Sequence, residues 1–189
     1  IYFPPLQTGG HQFLESESFS EGSASIRGKL HTNLLLNFDI YHQQLVMRYS
    51  NQHGAAEQLV VSDAWLQGFS FDGRKFTYLQ MPDSSLKIAQ VIGEKPFEIL
   101  VFWYKNLSLD TRFGATNHSF SKALKRTWLR NNGLMQTFNN KRSFVKLFPK
   151  DFQSGLKKYI RKQHFSFKNS SDEEITELLL FCSSNLSEL

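Results

Sequence analysis

The sequence predicts a mainly β (α+β) fold: a curled antiparallel β-meander or open barrel, followed by a small C-terminal helical subdomain. Three observations carry this expectation. Short apolar-alternating runs separated by turn residues recur up to Phe138, the period-2 pattern of half-buried strands. Two pairs, Asp72-Gly73 and Asn132-Gly133, each sit between such runs and signal two-residue hairpins. Beyond Lys141 the apolar spacing lengthens to that of amphipathic helices. Residues 1–140 are therefore read as the sheet or open-barrel region and 141–189 as a helical subdomain packed on it, in a single domain. No repeat or low-complexity linker divides them.

A chain of 189 residues is long enough to bury a core without disulfides, and its 18 Phe, 6 Tyr and 3 Trp suit a β-rich interior. Taken in order, the elements begin with an extended lead containing Pro4-Pro5 and Gly9-Gly10. Residues 13–19 form the first candidate strand, stopped by Glu21-Gly22, and 24–30 a weaker second. Leucine-rich 33–38 and alternating 44–49 follow, then 58–61 after the break at Ser50-Asn51-Gln52-His53-Gly54. Around Asp72-Gly73 the predicted register places Phe71 opposite Arg74, Phe69 opposite Phe76, Gln67 opposite Tyr78 and Trp65 opposite Gln80. One face is then aromatic, and the other carries Ser70, Lys75, Gly68 and Thr77 with Leu66 and Leu79. Strands 86–92 and 97–104 come next. The second of these is apolar on both faces, as expected of a central strand. Turn-rich 110–121 precedes the hairpin of 126–130 with 134–138, giving nine to eleven strands in all.

In the C-terminal part, Phe144, Val145, Leu147 and Phe148 suggest a short helix ended by Pro149. Asp151 could cap a second helix, which buries Phe152, Leu156, Tyr159 and Ile160. Ser171 and Glu174 read as the capping box of a last helix burying Ile175, Leu178, Leu179 and Cys182.

Charge is unevenly placed. Residues 122–168 hold thirteen Lys and Arg against one acid, Asp151, whereas the remainder holds nine against sixteen. Lys141, Arg142, Lys146 and Lys150, with Lys157, Lys158, Arg161 and Lys162 on one helix face, are the candidate contacts to an anionic partner. A merely solvated basic face is the plainer alternative.

Other chemistries find little support. Six scattered histidines show no HxH or HExxH spacing, so no metal site is expected. The single Cys182 excludes an intramolecular disulfide and any CxxC site. Hydrolysis would have to use Ser62-Asp63 with a histidine, or Asp110 with Glu98, without a nucleophile elbow. Asp39, Asp63, Asp72 and Asp110 are more simply turn and strand-end residues. Gly9-Gly10 lacks the third glycine and following helix of a phosphate loop. No catalytic residue and no cofactor is therefore expected. The basic segment carries no RNP-like motif or zinc module, which argues against sequence-specific nucleic-acid recognition. The aromatic hairpin face is expected to fill the core under the helices, with a cavity for an acyl chain as the alternative. No apolar run reaches eighteen residues, so no helical membrane span is expected. Four N-x-S/T sequons, at Asn106, Asn117, Asn169 and Asn185, are read as chance occurrences. The chain starts at Ile1, as after removal of a leader or after trimming.

Gly9-Gly10-His11-Gln12-Phe13-Leu14, Phe19-Ser20-Glu21-Gly22 and Leu35-Leu36-Asn37-Phe38-Asp39-Ile40-Tyr41 together resemble the start of a loose group of exported Bacteroidota proteins of unknown function. Asp72-Gly73-Arg74-Lys75-Phe76 and Arg142-Ser143-Phe144-Val145-Lys146-Leu147-Phe148 are similar to later parts of the same group. The resemblance implies a removed signal peptide, a periplasmic or exported cell-envelope location and no enzymatic residues to carry over. The resulting expectation is a non-catalytic accessory or interaction subunit of an outer-membrane-associated complex, with a protein partner. The alternatives are a carrier of lipid or another amphiphile in the sheet concavity, and binding of an anionic polymer such as lipopolysaccharide through the basic segment.

Overall fold

In a computed structural model of the chain, residues 4, 5, 8–80, 85–110 and 117–186 are described. The chain is mainly β. Ten strands form one antiparallel sheet: β1 (Ser20–Ile26), β2 (Lys29–Asp39), β3 (Gln44–Ser50), β4 (Ala56–Val60), β5 (Leu66–Phe71), β6 (Arg74–Gln80), β7 (Leu86–Glu94), β8 (Phe97–Tyr104), β11 (Leu124–Asn131) and β12 (Leu134–Phe138). A separate two-stranded pair is formed by β9 (Leu107–Asp110), which ends where the turn-rich 110–121 was expected to begin, and β10 (Asn117–Phe120), which lies within it, so the described strands exceed the predicted number. Three helices follow: α1 (Lys141–Val145), α2 (Lys150–Lys162) and α3 (Asp172–Leu186).

The strand order is β12-β11-β8-β7-β6-β5-β1-β2-β3-β4, a linear series that does not close into a barrel. It departs from a simple meander at two places. After β4 the chain returns to place β5 beside β1, and β11 pairs with β8 past the β9–β10 pair. By internal contacts the chain groups into two compact units, Ile1–Gln90 with Phe102–Lys125, and Val91–Val101 with Arg126–Leu189.

In the first unit, the strand expected at 13–19 does not form. Phe13 makes only an isolated bridge to Asp39, and β1 instead runs through Glu21-Gly22. Gly22 does not stop the strand because its missing side chain lets the neighbour in: a Cβ there would run into Ser70 O and Phe71 Cβ of β5. The strand expected at 24–30 is broken by a tight turn at Arg27-Gly28, both at positive φ (52° and 76°).

The Asp72-Gly73 hairpin has the predicted register, Phe69 opposite Phe76 and Phe71 opposite Arg74, with both turn residues at positive φ (49° and 71°). Its far end differs. Ser25 pairs with Gly68 but Ile26 pairs with Leu66, so Gln67 is an extra, bulged residue. The extra residue switches the side-chain alternation. Leu66, expected on the polar face, is buried at 4% exposure, whereas Trp65, expected in the aromatic core, is 48% exposed under the guanidinium of Arg27. Phe69, Phe71 and Phe76 stack on one another, Phe69 and Phe76 meet Phe38 edge-on, and Tyr78 and Trp103 pack against the same cluster. The chain's own Leu14, Leu36, Ile40, Leu45 and Val61 complete that cluster.

In the second unit, residues Phe97 to Val101 of β8 are all buried, as its two apolar faces predict. Phenylalanines link its parts: Phe138 meets Phe144 and Phe167, Phe144 meets Phe148, and Phe148 meets Phe97 and Phe152. α3 buries the predicted Ile175, Leu178, Leu179 and Cys182. Its capping box is present: Ser171 N donates to Glu174 Oε2 (2.9 Å) and Glu174 N donates to Ser171 Oγ (3.3 Å).

Candidate anion-binding groove

The eight cations singled out from the sequence are placed by two short helices. Asn140 starts α1 with a reciprocal cap: its Oδ1 accepts from Ser143 N at 3.0 Å, and Ser143 Oγ accepts from Asn140 N at 3.0 Å. Phe144 and Val145 turn inward from α1, leaving Lys141, Arg142 and Lys146 exposed. α2 begins at Lys150 with Pro149 as its N-cap, not Asp151 as expected. Pro149 makes no side-chain cap hydrogen bond, and Asp151 instead sits inside the first turn, where the helix dipole favours an acid. Phe152, Leu156 and Ile160 bury one stripe, so Lys157, Lys158, Arg161 and Lys162 face outward; Tyr159, expected in that stripe, is only half-buried.

Five of the eight cations border one groove of about 500 Å³. Lys141, Arg142 and Lys146 come from α1 and its C-cap, and Lys157 and Arg161 from α2. Val145 and Ile160 form an apolar floor, and Gln153 completes the lining. The Gln153 amide is oriented by donation from Nε2 to Phe148 O at 2.9 Å. No carboxylate borders the groove, and among the described residues none of its five cations forms an ion pair. Lys150, Lys158 and Lys162 are exposed but do not line it. Spacing alone held a trace of this division: Gln153, Lys157 and Arg161 recur at i+4, as do Lys158 and Lys162 on the adjacent stripe. Sequence reasoning did not single out Gln153, nor Val145 and Ile160 as a floor, because apolar periodicity marks a residue as inward without saying which inward residues edge an opening.

The groups that could have suggested chemistry elsewhere are engaged in structure. Asp39 Oδ1 accepts from Tyr41 N and His42 N, and its other oxygen lies 3.0 Å from His42 Nδ1, so this acid-imidazole pair closes the β2–β3 turn. Asp63 Oδ1 accepts from Tyr78 OH at 2.7 Å, and burial together with that carboxylate raises the Tyr78 phenol above its ordinary range. Glu98 accepts from Arg130 Nε at 2.7 Å, removing one cation of the basic segment from availability. Lys105 Nζ donates to His11 O at 2.8 Å. Burial and the neighbouring ammonium hold the His11 imidazole below its usual pKa. The Asp110 side chain lies outside the described residues. Among the described residues, no three His, Cys, Asp or Glu side chains gather as a metal site, and no helix is long and apolar enough to cross a membrane.

No family model, curated protein or solved structure matches the chain.

Proposed function

We propose that this is a non-catalytic binding protein whose working surface is the α1–α2 groove, and that its partner is anionic. The observation that carries the reading is the gathering of Lys141, Arg142, Lys146, Lys157 and Arg161 around one opening with no acid on its border. Surface cations without a ligand ordinarily intersperse with carboxylates, which relieve their mutual repulsion. Here that relief is left to a partner. The expected result is binding of a fluorescent oligothymidylate, used as a source of phosphates, that is lost when Lys157, Lys158, Arg161 and Lys162 are together changed to Glu. Unchanged affinity in a folded quadruple variant would contradict the reading.

A second reading, an accessory subunit of an outer-membrane-associated complex, is favoured by the two end strands of the open series, β12 and β4. A strand with one unpaired edge can accept a partner's strand. Purification from native membranes in mild detergent tests it: a co-purifying protein supports it, and a strictly monomeric soluble protein contradicts it.

A further inference from the structure

Resting on the anionic-partner reading, we propose that the groove is a site for a compact molecule carrying two or more clustered phosphate groups. The basic surface divides into two sets. Five cations edge the groove, while Lys150, at the first residue of α2, and Lys158 and Lys162, on the neighbouring stripe of that helix, do not line it. A long polyanion tracking the helix surface would engage both sets alike. The groove volume, about 500 Å³, is instead that of a small-molecule site. The α2 row from Gln153 to Arg161 extends only about 12 Å at 1.5 Å per residue.

The lining chemistry narrows the ligand further. Its side chains are donors almost throughout: three ammonium groups, two guanidinium groups and one amide. The amide nitrogen of Gln153 is already committed to Phe148 O, leaving its oxygen as the one side-chain acceptor on the border. A sugar, rich in hydroxyl donors, would find few acceptors there. A nucleobase would find no aromatic ring to stack on. Phosphate oxygens are acceptors only and match the set. Arg142 stands on α1 and Arg161 on α2, and each guanidinium can hold one phosphate edge bidentately, which is why two groups or more are called for. Val145 and Ile160 offer no charge between the rows, suiting the uncharged linkage between such groups.

Calorimetric titration with inorganic tripolyphosphate tests the site, using two variants of equal charge change, K157E/R161E at the groove and K158E/K162E outside it. Circular dichroism confirms that both are folded. The groove pair should weaken binding at least about a hundredfold, since two charge-assisted contacts are removed. The outer pair should leave affinity within a small factor. Vesicles carrying a bisphosphorylated lipid headgroup form a second arm. Vesicle binding that tripolyphosphate competes away assigns the phosphates to a headgroup, and absence of vesicle binding assigns them to a soluble ligand; both sustain the site. Equal weakening by the two variants would reduce the effect to net charge and overturn the proposal. Binding of oligothymidylate without tripolyphosphate would overturn it too while leaving the anionic-partner reading intact. Binding of neither probe would remove both.

Discussion

Gly22 stands mid-strand in β1 because β5 approaches too closely for any side chain, with Ser70 O and Phe71 Cβ in the space a Cβ would take. From sequence a Glu-Gly pair looks like punctuation, and only the neighbour across the ladder reveals the other role. Cys182 was more readable: its place on the apolar stripe of α3 identifies it as packing, and it is fully buried. Burial pushes its thiol up to about 12. Because the folded pKa lies above the unfolded one, this group's contribution to stability is complete below about pH 9 and is lost as pH rises toward 12. Two outcomes are expected. A thiol reagent at pH 8 should modify Cys182 no faster than the chain unfolds, and denaturant titrations should show stability falling above pH 9, less steeply in Cys182→Ala. Rapid modification of the native protein would contradict the burial on which this rests.

Among the elements, α1 depends most on its cap, since five residues form too short a helix to persist by propensity alone. Asn140→Ala removes the acceptor for Ser143 N and should destabilise the protein by about 0.5–2 kcal/mol in chemical denaturation. The same change should weaken oligothymidylate binding, because α1 carries two of the groove's cations, Lys141 and Arg142, and its C-cap residue Lys146 is a third. An effect on stability without any effect on binding would dissociate the helix from the groove. The capping box of α3 and the Asp72-Gly73 hairpin were legible because each depends on residues a few positions apart. The bulge at Gln67 was not. Its warrant lies in the neighbouring turn, where Gln67 Oε1 accepts from Ser25 Oγ (2.9 Å) and Gly28 N (3.0 Å), partners some forty residues away in sequence. One uncounted residue there exchanged the faces of Trp65 and Leu66.

For the molecule as a whole, the mainly β class followed by helices was written in the apolar periods, but the strand order was not. Nothing in β1 says that its second edge meets β5 and not another alternating run, because period-2 strands are interchangeable until their side chains are packed together. The candidate site was half legible in the same sense. The sequence showed thirteen basic residues against one acid in 122–168, whereas the fold decides which of them face a common opening. Arg130 is taken by Glu98, and of the eight cations singled out, three lysines lie outside the groove and five border it.

The most direct test of this account is the salt dependence of oligothymidylate binding. Single-stranded nucleic acid loses affinity with a log–log slope of about −0.7 per phosphate neutralised, so engagement of the groove cations should give a slope of about −3 or steeper. The K157E/R161E variant should flatten that slope by more than one. A slope near zero in the unaltered protein, or the same slope in both proteins, would contradict the claim that this groove is where the protein meets its partner.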